Sequence, residues 1–274
     1  MVYQSATYRV ACDTTVADAE VIDAWERDGF LVLDSLVDGQ DLADLREAYN
    51  ELLAEETLTD LNRMLGGITR QIMMPSAMHS RFESNAALDA AAKMIEPIVG
   101  DTIKVFDMLI FKPPGHPHET PWHQDIAYGG MPAAPAGTLI HSTMMQFWVA
   151  LDDVDAENGC MHFIPGVHEN PSLPHVVAFG EPDDSARLLA IEDPTDLPLG
   201  SGVAAPLRAG GATVHSYATP HYTPPNRSLA RPRRAYIFNL ASAAEFGGVD
   251  LAGVVSDHLH RPGKSACNDS AGHP

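Results

Sequence analysis

TIKVFDMLIF, residues 102–111, is the stretch at which this chain changes character. Before it the sequence reads in helical steps. From it onward come short runs rich in β-branched and aromatic residues: TMMQFWVAL (143–151), CMHFI (160–164), ATVHSY (212–217) and RAYIFNL (234–240). Pro, Gly and Asn/Asp clusters such as KPPGHP, DAEN and TPPN separate them, which is the punctuation of strands joined by turns. Upstream, TVAD places Thr15 and Asp18 at capping-box spacing, and Ile22 and Trp25 share a helical face before Gly29. FLVL (30–33) reads as a buried strand, DGQDLADLREAYNELLAEE (38–56) as a helix, and an Ala-rich helix is expected near 86–98. Helices first and many strands afterwards predict a mainly β fold. The expectation is a double-stranded β-helix, a cupin-like jelly roll, with N-terminal helices packed on one sheet.

The chain of 274 residues, 45% hydrophobic, is long enough for one large core. A single domain is expected, with a helical layer over about 15–98, a jelly-roll core over about 102–242 and a disordered tail at 262–274. The acidic, Pro- and Gly-dotted segment 179–200 reads as a long loop over one end. Lys and Arg number 17 against 37 Asp and Glu, a formal charge of −20, which disfavours nucleic acid and anionic membranes as partners. Three widely spaced cysteines, Cys12, Cys160 and Cys267, suit a reducing compartment, and no signal peptide or long apolar run is present. A cytoplasmic protein, monomer or homodimer, acting on a small molecule is the expectation.

TPWHQDIAYGG (120–130) carries the chemistry, because it sets His123 and Asp125 two positions apart. On a strand, residues i and i+2 leave the same face, so the two side chains are expected to project together. Two imidazoles and a carboxylate on one side of a metal form the facial triad of non-heme Fe(II) oxygenases, with positions left for other ligands. A hydrogen-bonded surface pair is the plainer alternative.

Four blocks, MLIFKPPG (108–115), WHQD (122–125), WVALDDVDAENGCMHFIPGVH (148–168) and HYTPPNRS with the following RRA (221–235), together with RDGFLVLDSLVD (27–38), occur in an order that resembles the phytanoyl-CoA dioxygenase family. The resemblance implies Fe(II), 2-oxoglutarate and O₂ as cofactor and co-substrates. By resemblance, His123, Asp125 and His221 are the iron ligands. His215 is the rival distal ligand, read instead as a core histidine bonded to backbone. Arg233 matches the arginine that holds the far carboxylate of 2-oxoglutarate, with Arg234 and Arg231 as competitors. Thr223 can add a hydroxyl, and Met108 and Trp148 match pocket positions. Met64, Met73, Met74 and Met78 are weighed as a pliable wall beside the metal against ordinary packing. His116 and His118 of GHPHET, and His258 and His260, read as solvated, and Cys160 as a packed thiol. The expected outcome is hydroxylation of a small metabolite, with desaturation, ring closure or epimerisation as variants. A binding jelly roll without turnover and a zinc hydrolase remain alternatives.

Overall fold

Alternation along the strands organises the molecule. In FLVL, Phe30 and Val32 point one way and Leu31 and Leu33 the other, yet all four are buried, because this strand is covered on both faces. The structure, a computed structural model, describes residues 4–5, 9–11, 15–128, 143–169, 172–246 and 248. The order of elements is β1 (Gln4–Ser5), β2 (Arg9–Val10), α1 (Ala19–Asp28), β3 (Phe30–Leu33), α2 (Gly39–Ala54), β4 (Asn62–Leu65), β5 (Thr69–Met73), α3 (Ser80–Glu83), α4 (Ala86–Val99), β6 (Thr102–Lys112), β7 (Thr120–His123), β8 (Met144–Ala150), β9 (Met161–Phe163), β10 (His175–Phe179), β11 (Leu188–Ile191), β12 (Val203–Ala205), β13 (Ala212–Ser216), β14 (His221–Thr223), β15 (Arg233–Ser242) and α5 (Ala243–Phe246).

These strands form a jelly roll of two main sheets. The larger has the order β2-β3-β13-β8-β15-β6-β5-β4, and the smaller β1-β12-β9-β14-β7. Between them Phe30, Val32, Trp148, Ala150, Ala235 and Ile237 meet Met161, Phe163, Val203 and Ala205. On the outer face of the larger sheet Leu31, Leu33, Phe147, Val149, Tyr236 and Phe238 meet Trp25, Leu45, Tyr49, Phe82 and Ile95 of the helices. Each large apolar side chain so buried contributes roughly 1.5–3 kcal/mol. Strand parity therefore divides β15: Arg233, Ala235 and Ile237 face the smaller sheet, while Tyr236 and Phe238 face the helices.

Several local expectations shift. Asp18 alone caps α1, accepting from the Val21 amide, so the helix starts later than a Thr15 cap would place it. Gly29 ends α1 at φ 76°, and a Cβ there would lie 2.4 Å from His168 Cγ, so only glycine fits. The Met-rich stretch opens as the β4–β5 hairpin, which carries Met64 and Met73 and extends the larger sheet through β6, while Met74 and Met78 flank the 3₁₀ turn Pro75–Ala77. Its β-branched and apolar residues gain a sheet edge that local pattern does not display. The segment 179–200 is not one open loop. β11 pairs antiparallel with β10, two 3₁₀ turns follow, and the Gly66 amide donates to the Ala186 carbonyl, tying the hairpin to the β4–β5 turn. Cys12, Cys267, His258, His260 and the 262–274 tail lie outside the described residues. No helix among the described residues is long and apolar enough to cross a membrane.

Candidate metal centre and adjoining cavity

Strand β7 ends at His123, and a 3₁₀ turn begins at Asp125. The two therefore do not project from one strand as the i, i+2 argument expects. Gln124 is what bends the chain. Its amide donates to His175 Nε2 at 3.0 Å, its side-chain nitrogen to the Ala218 carbonyl at 2.7 Å, and its side-chain oxygen accepts from the Leu173 amide at 2.8 Å. The turn carries the Asp125 carboxylate back towards His123. His221 opens β14 and sits opposite His123 in the ladder, ring centroids 4.1 Å apart.

The ligating atoms of His123, Asp125 and His221 all lie within 4.8 Å of one another. Asp125 Oδ1 is 3.7 Å from His123 Nε2 and 3.6 Å from His221 Nε2. Each histidine donates Nδ1–H to a carbonyl two residues back, His123 to Pro121 at 2.7 Å and His221 to Thr219 at 3.0 Å. That fixes the tautomer and leaves both Nε2 lone pairs free for a metal. The other carboxylate oxygen, Oδ2, accepts from Gln146 Nε2 and lies 3.3 Å from His215 Nε2. His215 is thus not bonded to backbone as the sequence suggested. It is buried on the inner face of β13 and addresses the carboxylate, while its Nδ1 has no partner among the described residues.

Electrostatics agree with a site prepared for a cation. Burial, opposed by Asp125, lowers His123, and burial followed by the nearby His123 pushes His221 well below the usual imidazole range. Burial works against the Asp125 carboxylate, yet the facing His221, His215 and His123 hold it down to about 2. Two neutral imidazoles and one carboxylate constitute a donor set that fits a divalent first-row ion. The sign of the pH dependence follows. Imidazoles with depressed folded values resist protonation that the unfolded chain accepts, so metal-free protein loses stability as pH falls below the ordinary value of 6.5. His116, pushed down to about 4 by burial and then by Lys112, acts in the same direction. Thermal melts of metal-free protein from about pH 7.5 to about 5 should show a falling Tm, with a shallower fall in His116→Gln. A flat profile would contradict the buried, neutral state of these histidines.

A cavity of about 130 Å³ opens from His123, Asp125 and His221, and its walls include Met108, Ile110, Trp148, Met161, Ile237 and Arg233. Strand parity selects Arg233 from its neighbours. It is 1% exposed, its guanidinium carbon stands 5.4 Å from the Trp148 ring centroid, and Nε has no hydrogen-bond partner among the described residues. Burial lowers its pKa to about 10. Arg234 points the other way, to Asp152 at 2.6 Å, and Arg231 is engaged at the surface by Asp155 at 2.9 Å and Glu157 at 2.7 Å. Thr223 also lines the cavity. Asn226 explains the rest of the HYTPPNRS block, since its side chain bonds the carbonyls of Lys112, Pro113 and Arg231 and so fixes the loop between β14 and β15.

Of the four methionines weighed as a wall, Met73 lines the cavity and Met78 is exposed. His116 is not solvated; it is buried, with Nε2 3.0 Å from Thr69 Oγ1. Cys160 is packed as expected, its thiol pushed up to about 12 by burial. Among the residues that escaped the sequence reading are Gln146, Arg63 and Ser185, which line the cavity, and Lys112, which bonds Thr223 beside it. Gln146 and Lys112 share strand parity with Trp148 and Met108, a signal that was present. Arg63, which bonds Gln71 and Ser185 at 2.9 Å each, reaches the cavity only because the β10–β11 hairpin folds over it.

A model of the phytanoyl-CoA dioxygenase (PhyH) family matches residues 25–235. Among curated proteins, the peroxisomal phytanoyl-CoA dioxygenase of Rattus norvegicus is 27% identical over 186 residues, covering 61% of this chain and 52% of that protein. Phytanoyl-CoA dioxygenase domain-containing protein 1 of Danio rerio is 31% identical over 153 residues, covering 54% of this chain and 46% of that protein. The chain thus spans about half the length of the curated relatives it matches. Among solved structures, EvdO2 from Micromonospora carbonacea var. aurantiaca complexed with 2-oxoglutarate superposes with a TM-score of 0.65 at 29% identity, covering 83% of this chain and 92% of that one. The epimerase SnoN in complex with Fe3+, alpha ketoglutarate and nogalamycin RO has a TM-score of 0.64 at 24% identity, covering 82% and 83%, a likeness of fold.

Proposed function

The chain belongs to the phytanoyl-CoA dioxygenase family, and from that premise we propose that it is an Fe(II)/2-oxoglutarate-dependent dioxygenase that oxidises an unactivated C–H bond of a small-molecule metabolite. The observation that carries this reading is Arg233: a buried guanidinium, without an ion-pair partner among the described residues, in the cavity that starts at His123, Asp125 and His221. A buried charge demands a counter-charge. A dicarboxylate bound in this cavity would provide it. The similarity to EvdO2, described as complexed with 2-oxoglutarate, supports the same co-substrate.

Iron held by His123, Asp125 and His221 would supply the activation of O₂ and the oxidative decarboxylation of 2-oxoglutarate to succinate and CO₂. The protein supplies the geometry. The three residues that would hold the iron cluster at one end of the cavity, which leaves the rest of that space for co-substrate and substrate. Gln146 and His215 hold Asp125 Oδ2, so that Oδ1 stays turned to the Nε2 atoms of His123 and His221, where it would serve as a ligand. Arg233 offers two parallel donors to the far carboxylate, Thr223 adds a hydroxyl, and Trp148 supports the guanidinium face. Met108, Ile110, Met161 and Ile237 keep water from the reacting centre.

The largely apolar lining and the net charge of −20 favour a neutral or partly apolar substrate over a polyphosphate thioester. A natural-product intermediate fits that description, with hydroxylation as the simplest outcome. Anaerobic addition of Fe(II) and then 2-oxoglutarate tests the reading. A weak visible charge-transfer band should develop, saturable in 2-oxoglutarate, and air should then release succinate. Iron binding without that band would instead favour a metal hydrolase or a binding protein, neither of which needs Arg233.

A further inference from the structure

Lys112 was not foreseen as part of the site. It lies on the cavity face of β6 with Met108 and Ile110, is fully buried, and is the cross-strand partner of Arg233. Its ammonium is surrounded by three acceptors: Thr223 Oγ1 at 2.9 Å, the Pro224 carbonyl at 3.0 Å and the Thr223 carbonyl at 3.4 Å. An ammonium has three N–H groups and no lone pair, so these acceptors use all of its donors. A threonine hydroxyl has one hydrogen and two lone pairs. With Lys112 on a lone pair, the Thr223 hydrogen is turned away from the lysine, and it has no acceptor among the described residues, although Thr223 lines the cavity.

We propose that Lys112 is a positioning residue, which by donating to Thr223 Oγ1 makes the Thr223 hydroxyl an obligate donor towards the carboxylate held by Arg233. This rests on the 2-oxoglutarate reading above. Two cations stand side by side here, and neither forms an ion pair among the described residues, although the field of Glu119 reaches Lys112. Burial, and next the Arg233 guanidinium, press the Lys112 ammonium well below the usual lysine range. A bound carboxylate relieves that strain on both cations, and the directed hydroxyl completes its hydrogen bonding.

The test is a double-mutant cycle on 2-oxoglutarate affinity, read from the visible band of the anaerobic Fe(II) protein, for wild type, Lys112→Met, Thr223→Val and the double variant. Each single change should weaken binding about tenfold or more, and the double variant should be no weaker than Thr223→Val alone. Thr223→Ser should recover most of the affinity, because it restores the hydroxyl. If Lys112→Met weakens binding equally with Val or Thr at position 223, the lysine acts by packing or by touching the anion itself, and the proposal is overturned. If Lys112→Met does not fold, Lys112→Leu, which also lacks a donor, takes its place in the cycle: coupling to Thr223→Val supports the directed donor, and additivity overturns it. Absence of the band in wild type would remove the 2-oxoglutarate reading, and this inference with it, an outcome distinct from an additive cycle.

Discussion

His221→Ala is expected to lose iron and, with it, all 2-oxoglutarate turnover. His123 and Asp125 would remain as two donors, and two donors do not retain a labile divalent ion against water. Removal of an outer partner of a metal ligand typically costs 10–100-fold in affinity or activity, so loss of a ligand itself should exceed about 100-fold. His123→Ala should behave alike, since the two imidazoles face each other across the β7–β14 ladder. His215→Ala provides the contrast. That residue touches Asp125 Oδ2 rather than the face shared by the three ligands, so it should weaken iron binding without abolishing it. The measurement is iron content after desalting, alongside succinate release, for the three variants under one protocol. A fully active His221→Ala beside a dead His215→Ala would reassign the distal ligand.

Arg233→Leu should weaken 2-oxoglutarate binding by roughly 30-fold or more while leaving iron affinity nearly unchanged. Leaving a carboxylate unpaired in a buried site costs on the order of 2 to 5 kcal/mol. Arg233→Lys should rescue only in part, because a point charge does not reproduce two parallel hydrogen bonds. Arg234→Leu and Arg231→Leu are controls that the geometry makes sharp. Arg234 is committed to Asp152 beside the helices, and Arg231 to Asp155 and Glu157 at the surface, so neither should alter the constant for 2-oxoglutarate by more than about threefold. The measurement is the apparent constant for 2-oxoglutarate with iron occupancy checked in each variant. A large loss confined to Arg234 would move the anchor by one residue, and no loss in any of the three would leave the co-substrate reading without its counter-charge.

The sequence by itself showed helices ahead of many short strands and so a mainly β jelly roll, and through the resemblance of its WHQD and HYTPPNRS blocks to the family it offered His123, Asp125 and His221 as candidate ligands. Those features are written in local pattern. Near-continuous apolar runs, as in FLVL and TMMQFWVAL, mark strands covered on both faces, and the WHQD and HYTPPNRS blocks are each a continuous stretch of chain. Alternation along β15 also separates the two arginines, since Arg233 shares a face with Ala235 and Ile237 whereas Arg234 shares one with Tyr236.

What only the tertiary structure decided is what meets across the sheets. Asp125 joins the site through a turn pinned by Gln124, not by lying on one strand with His123. Gln146 on β8 and His215 on β13 converge on one carboxylate oxygen because those strands are neighbours in the larger sheet, at ladder positions facing each other. Lys112 and Thr223 lie far apart in sequence and 2.9 Å apart in space, and Arg63 enters the cavity only beneath the β10–β11 hairpin. The physical reason is the range of the forces. Strand pattern reflects which side of a ribbon is buried, a property each segment carries alone. Hydrogen bonds and ion pairs reach a few ångströms between segments whose proximity is set by packing of the whole core.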